Sequence, residues 1–171
     1  MSEINDKFIE YCNYIEEHRK NVALAWDEVQ YKCKNESFVY DDWKFRLLDG
    51  MIRWHDLSKY SAEEFTQYRE YFYPCKLESK EENQFEKAWE HHYKNNPHHW
   101  QYWINKPNES LYQLLSYVEM ICDWQAMGYK FGGDALSYYE GHKDKIEIAP
   151  DYVGFVERIL HLLCDKTRVD D

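Results

Sequence analysis

Histidine and aspartate residues recur along this 171-residue chain in an order that suits a metal site. The centre of the pattern is the adjacent pair His55-Asp56. Imidazole and carboxylate groups are ligands that divalent ions such as Mn²⁺, Mg²⁺, Fe²⁺, Co²⁺ and Ni²⁺ accept. The pattern therefore predicts one or two divalent ions, held by side chains from separate parts of the chain. The other candidate ligands lie on both sides of the pair: His18, His91, His92, His98, His99 and Asp123.

Four of these residues occur in an order that resembles the HD-domain phosphohydrolases, which are named for an adjacent, metal-binding His-Asp pair. The matching positions are His18, His55, Asp56 and Asp123. The resemblance implies an all-helical fold, a metal ion held by these four side chains, and hydrolysis of a phosphoester. The sequence is most similar to small HD-like proteins of bacteria and phages, so the resemblance implies a reaction class without a particular substrate.

Two basic residues beside the predicted ligands are candidates for contacts with substrate. The resemblance assigns Lys59 to an HD-x-x-Lys signature, in which the lysine reaches the substrate phosphate and assists catalysis. The other interpretation of Lys59 is a solvated lysine at a helix end. Arg19, which adjoins His18, is the second candidate for a substrate-binding cation.

The two histidine pairs have several possible roles. In the two-metal branch of the HD family, additional histidines between the His-Asp pair and the final aspartate usually lie on well separated helices. Here the pairs are close in sequence, and adjacent residues on a helix point about 100 degrees apart, so at most one of each pair should face a metal unless the helix has ended. His91, His92, His98 and His99 are candidates for second-metal ligands or proton donors, with His92 and His99 also candidate catalytic residues. The alternative is four solvated histidines near a turn.

Each of the four matching residues also has a structural interpretation. The His55-Asp56 pair can end a helix, and His18 can be a core histidine bonded to a carbonyl oxygen. Asp123 lies in an apolar stretch, where a carboxylate is costly to bury without a partner, and a divalent cation would supply that partner. All four residues in one order favour metal ligation.

Amphipathic helices are expected to position these residues, because apolar side chains recur at spacings of three and four. Asp41 or Asp42, Ser61 with Glu64, and Asn108 or Ser110 are candidate helix caps, and Gly128 is a candidate helix end. A short helical turn after Pro97 is expected to hold His98 and His99. The sequence predicts an all-α, single-domain HD-like bundle of about six to eight helices over residues 1–171. The predicted helices span about residues 4–33, 42–56, 61–73, 80–95, 110–127, 135–143 and 150–166.

The amino-acid composition of the chain limits the classes of partner that it is expected to bind. The formal net charge of −11 disfavours extended nucleic acid, so a small phosphorylated molecule is the expected partner. Five cysteines without C-x-x-C spacing, and the lack of a long apolar run, predict a cytoplasmic protein with no membrane partner. A monomer and a homodimer are equally compatible with the sequence.

The sequence predicts a metal-dependent phosphohydrolase that acts on a small phosphorylated substrate, a nucleotide, by metal-activated water. The alternative is a non-catalytic HD-like module that sequesters a nucleotide or a protein partner. Its basis is the close spacing of the two histidine pairs, together with the 16 tyrosines and 7 tryptophans, which suit a cleft or an interface as well as the gaps between helices. A di-iron oxygenase is a further alternative and requires two ions.

Overall fold

The computed structural model describes residues 2–107 and 111–164, which form eight α-helices and two 3₁₀ segments and contain no strand. The predicted all-α bundle of six to eight helices is therefore confirmed. The 3₁₀ segments are Leu57–Tyr60 and Trp100–Trp103. The helices are α1 (Glu3–Lys32), α2 (Ser37–Tyr40), α3 (Asp42–Trp54), α4 (Phe65–Phe72), α5 (Glu82–Asn95), α6 (Tyr112–Phe131), α7 (Ala135–His142) and α8 (Pro150–Cys164).

Helices α1 and α6 pack along each other at the centre of the bundle, and α3, α7 and α8 cover them. Both central helices bury apolar residues at spacings of three and four, as an amphipathic pattern requires. Burial of each aliphatic side chain here stabilises the folded state by roughly 1.5–3 kcal/mol relative to leaving that side chain exposed. None of the described helices is long and apolar enough to cross a membrane. The buried stripe of α6 includes Leu115, Val118, Ile121 and Cys122.

A second, smaller cluster of buried residues joins the N-terminal half of α1 to α4 and α5. Its fully or nearly fully buried members are Tyr11, Ile15, Tyr68 and Ala88. Because His18 lies one turn beyond Ile15 on the same buried face of α1, it falls between the two clusters. The candidate ligands are therefore positioned between two apolar cores.

Two helix boundaries differ from the sequence prediction close to the candidate ligands. Helix α3 ends at Trp54, so His55 and Asp56 follow the helix rather than forming its last turn. The second 3₁₀ segment begins at Trp100, so His98 and His99 precede the helical turn that was expected to hold them. Both ligand pairs thus lie on irregular backbone, where adjacent side chains are not forced 100 degrees apart.

The predicted helix caps agree only in part with the structure. Asp41 lies at the N-cap of α3, but its side chain makes no capping hydrogen bond, and the short helix α2 was not predicted. The predicted capping box of Ser61 and Glu64 is wrong, because α4 begins only at Phe65 and neither side chain caps it. The predicted caps Asn108 and Ser110, and the last residues of the helix expected to reach 166, lie outside the described residues.

The prediction that Gly128 ends a helix is wrong, because α6 continues to Phe131 and ends at Gly132, where φ is +88°. Gly128 serves a close approach instead. A Cβ atom at position 128 would lie 2.9 Å from the carbonyl oxygen of Gly133, which no side chain can tolerate without a shift. The absence of a side chain therefore lets the turn after α6 fold back against the helix.

Candidate metal centre

A first group of candidate ligands surrounds the Nε2 atom of His18, which α1 presents between the two apolar cores. This atom lies 3.1 Å from Asp123 Oδ1, 3.3 Å from His55 Nε2 and 3.5 Å from Asp56 Oδ2. Ligand atoms that share one ion at about 2.0–2.2 Å must lie about this close together. The structure thus brings together all four residues of the predicted set, which we call the first ligand group: His18, His55, Asp56 and Asp123.

A second group lies on the other side of Asp56. The Oδ1 atom of Asp56 lies 3.2 Å from His92 Nε2 and 3.4 Å from His98 Nε2. His99 completes this set, whose ligand atoms all lie within 4.8 Å of one another. Asp56 therefore belongs to both sets, with Oδ2 towards the first and Oδ1 towards the second. We call this set the second ligand group: Asp56, His92, His98 and His99.

The two histidine pairs differ in how many of their side chains reach the second ligand group. His98 and His99 both reach the second ligand group, because the chain there is not helical. On α5, His92 faces the centre and is 1% exposed, whereas His91 is partly exposed and places Nδ1 2.8 Å from Glu64 Oε1. His91 is therefore separated from the candidate ligands by the carboxylate of Glu64.

Arg19 fixes the backbone that carries the His-Asp pair. Its Nε donates to the carbonyl oxygen of His55 at 3.1 Å, and its Nη2 donates to that of Arg53 at 2.8 Å. These bonds satisfy carbonyl groups at the end of α3, which no longer have partners within the helix. Arg19 does not line the cavity beside the ligands, so its contacts indicate positioning of the pair rather than binding of substrate.

Two buried glutamates that the sequence analysis did not assign to the site hold the candidate ligands in orientation. Glu119 Oε1 lies 2.9 Å from His55 Nδ1 and 3.3 Å from His98 Nδ1, so it contacts one imidazole of each ligand group. Glu64 Oε2 lies 2.8 Å from His92 Nδ1. With Nδ1 bonded to a carboxylate, each imidazole is left with Nε2 towards the centre, as metal-binding histidines usually are.

The positions of these glutamates explain why they were missed. Glu119 lies one turn before Asp123 on α6, and this spacing was a usable signal. Glu64 had been assigned to a capping box with Ser61 that does not form. Its contacts come from α5, which is distant in sequence.

A cavity of about 330 Å³ borders both ligand groups and is within the size range of small-molecule sites. Lys59 lies on its wall and places Nζ 2.6 Å from Asp56 Oδ2. Lys59 is the only lysine or arginine among the described lining residues. Aromatic side chains form most of the remaining wall, among them Tyr11, Tyr14, Tyr68, Trp89, Trp100 and Trp124.

Comparison with known proteins identifies the family of the chain. Residues 7–162 match a family of unknown function, DUF5662. The chain belongs to the DUF5662 family. No match was found among curated proteins or among solved structures. The matched range includes every residue of both ligand groups, so the site lies within the family's shared region.

Neighbouring groups lower the pKa values of the two aspartates in the site of this DUF5662 protein. Burial would raise the pKa of Asp56, but Lys59 and the neighbouring histidines outweigh it and hold that pKa well below its usual range. Burial likewise opposes ionisation of Asp123, and His18 reverses the effect and lowers the pKa. Both ligand carboxylates are therefore ionised at neutral pH.

The imidazoles fall into two classes. Burial lowers the pKa of His55, and burial together with neighbouring imidazoles holds the pKa of His99 well below its usual range. At His98, burial is outweighed by Glu119 and Asp56, which raise the pKa to about 10. His55 and His99 are thus neutral, whereas His98 is protonated, and binding of a cation would release that proton because a ligating imidazole must be neutral.

Three buried polar atoms at the centre of the DUF5662 site make no well-aligned hydrogen bond within the described residues, although Asp56 Oδ1 and His98 Nε2 lie 3.4 Å apart. These atoms are Asp56 Oδ1, His98 Nε2 and His99 Nε2. Buried polar groups in native proteins are almost always satisfied, so these ligand atoms, which face one another, fit a bound cation as their common partner. The buried cluster of histidines and aspartates could therefore hold a metal ion.

Proposed function

We propose that this DUF5662 protein is a metal-dependent phosphohydrolase, with an HD-like site, that acts on a small phosphorylated molecule such as a nucleotide. The observation that carries the proposal is the pair of ligand groups that share Asp56 beside a cavity with a lysine on its wall. The first ligand group would hold one divalent ion, and the second ligand group would hold another.

The ions, when bound, would activate a water molecule and polarise a phosphoryl oxygen. Lys59 would neutralise negative charge on the phosphoryl group, because its Nζ lies at the junction of the ligands and the cavity. Glu119 and Glu64 would keep the imidazoles in one orientation. In this proposal His92 and His99 act as ligands rather than as proton donors, because both belong to the second ligand group.

Elemental analysis of the purified protein beside an Asp56→Asn variant tests the proposal. Asparagine is the appropriate replacement, because Asp56 has a left-handed backbone (φ 58°) that asparagine tolerates and alanine does not. We expect two ions of Mn, Fe, Co, Ni or Zn per chain in the parent, loss of both in the variant, and metal-dependent phosphate release from nucleotides by the parent alone. An exposed Glu63→Gln variant is the matched control and should retain both ions.

Two other results would replace the proposal. A protein that retains no divalent ion after ions are added back would favour the binding-module alternative, for which the aromatic cavity is the supporting observation. Two irons per chain, oxygen consumption and no phosphate release would favour the di-iron oxygenase, which the three imidazoles of the second ligand group also suit.

A further inference from the structure

Two tyrosines on the cavity wall are almost fully buried, yet their hydroxyl groups lack hydrogen-bond partners. Tyr11, on α1, is 1% exposed, and Tyr68, on α4, is 5% exposed. Neither hydroxyl oxygen has a partner in residues 2–107 or 111–164. Native proteins seldom bury a hydroxyl group unsatisfied, and an unsatisfied hydroxyl group is commonly explained by a catalytic role or by a water molecule or ion at the site. These two hydroxyl groups therefore indicate a bound polar group that the chain itself does not supply.

The tyrosines border the part of the cavity that contains Lys59 and Asp56. Tyr11 and Tyr68 line the same cavity as Lys59 and Asp56. The Nζ atom of Lys59 lies 5.9 Å from the centre of the Tyr68 ring. Two hydroxyl groups and one ammonium group thus belong to side chains that line the same cavity as the shared ligand.

The chemistry of these three groups favours an anion with several acceptor oxygens. A phenol is a neutral donor at neutral pH, and burial raises the pKa of both tyrosines further. The lysine supplies one positive charge. A phosphoryl group offers three oxygens, so it can accept from all three donors while facing the ligand groups.

We infer that Tyr11, Tyr68 and Lys59 form a phosphoryl-binding subsite, and that the cavity selects substrates with a single phosphate group on an aromatic or apolar body. The inference rests on the proposed function and names its substrate class, a phosphomonoester such as a nucleoside monophosphate. The two tyrosines would contact substrate, and neither was predicted from the sequence as a site residue.

The selectivity for one phosphate follows from the charges around the cavity. Lys59 is the only lysine or arginine on the described wall, which also carries the carboxylates of Asp56 and Asp123. The divalent ions and Lys59 would face the first phosphate, and the described wall offers no other lysine or arginine for a second or third phosphate, in a chain of net charge −11. The remaining wall suits a flat body, because Trp89, Trp100 and other rings line it.

Binding of inorganic phosphate to the metal-loaded protein, measured by calorimetry, tests the subsite without relying on turnover. Tyr11→Phe and Tyr68→Phe each remove only one hydroxyl group that has no partner, so both variants should fold and retain the metal content of the parent. We expect each to weaken phosphate binding and to raise KM for a nucleoside monophosphate by about tenfold or more. Tyr73→Phe is the matched control, because Tyr73 packs against Tyr11 but does not line the cavity.

Unchanged phosphate affinity in both variants would overturn the subsite. A nucleoside triphosphate hydrolysed with kcat/KM equal to or above that of its monophosphate would overturn the selectivity. If the parent releases phosphate from no ester but binds inorganic phosphate in a manner that depends on Tyr11 and Tyr68, the hydrolase proposal fails and the subsite stands. The two proposals can therefore fail separately.

Discussion

Glu119 contacts one imidazole of each ligand group, so its replacement by glutamine should weaken both metal sites at once. Glu119 Oε1 lies 2.9 Å from His55 Nδ1 and 3.3 Å from His98 Nδ1. Glutamine keeps the size of the side chain and one acceptor oxygen, but it removes the negative charge that both imidazoles contact. The variant thus tests orientation and charge without opening a cavity.

The expected loss follows from the two distances. Removing a partner that orients a metal-binding imidazole typically lowers metal affinity by about 10- to 100-fold, or about 1.4–2.8 kcal/mol per ion. The contact with His55 is the shorter of the two, so the affinity of the first ligand group for its ion should fall more than that of the second. Glu64→Gln should weaken only the second ligand group, because Glu64 contacts the ligand groups through His92.

Titration of the apoprotein with Mn²⁺ by calorimetry, with a competing chelator where binding is tight, measures both affinities. We expect Glu119→Gln to weaken both binding events and Glu64→Gln to weaken one. Glu63→Gln, an exposed neighbour of Glu64, should match the parent. The reasoning is refuted if Glu119→Gln leaves both affinities within twofold of the parent, or if Glu64→Gln weakens both events equally.

Three further predictions concern stability. Arg69, with the backbone N–H of Cys75, lowers the pKa of Glu78 from 4.5 to about 2, so Glu78 should stabilise the fold by about 1 kcal/mol at pH 7, an advantage lost as pH falls through 2. In urea unfolding, the deficit of Glu78→Gln should shrink from pH 7 to pH 3, and a pH-independent deficit would contradict this. Gly128→Ala should destabilise the fold by about 1–3 kcal/mol, because the added methyl group clashes with the turn after α6. Gly154→Ala, which lies in open space on α8, is the control and should not destabilise the fold. Equal thermal midpoints for the two variants would refute the clash. Arg19→Ala should cost about 1–3 kcal/mol by freeing two carbonyl groups, with KM unchanged, and a raised KM at unchanged stability would restore a substrate-binding role.

The parts of the site on regular helices could be predicted from the sequence. His18 and Asp123 lie on α1 and α6, where a period of 3.6 residues relates sequence position to helix face. The same periodicity gave the long helices to within a few residues. The order of the ligands then linked helices that no local pattern relates to each other.

The remaining parts depend on contacts between distant segments. His98 and His99 both face the centre only because the backbone before Trp100 is irregular, which the sequence did not specify. Glu64 contacts His92 on α5, 28 residues later in the chain, and its local Ser-x-x-Glu pattern indicated a cap instead. Gly128 is required by the approach of a later turn. In each case tertiary structure overrode a valid local signal.

The left-handed backbone of Asp56 has a consequence for how the site can change during evolution. The position requires a residue that tolerates a φ of 58° and also carries a carboxylate that reaches both ligand groups. Asparagine and glycine meet the first requirement only, and glutamate, with a longer side chain and poor tolerance of this backbone, meets neither geometry well. No single substitution at this position therefore keeps both the backbone conformation and the shared carboxylate ligand. The site should persist with aspartate or be lost as a unit.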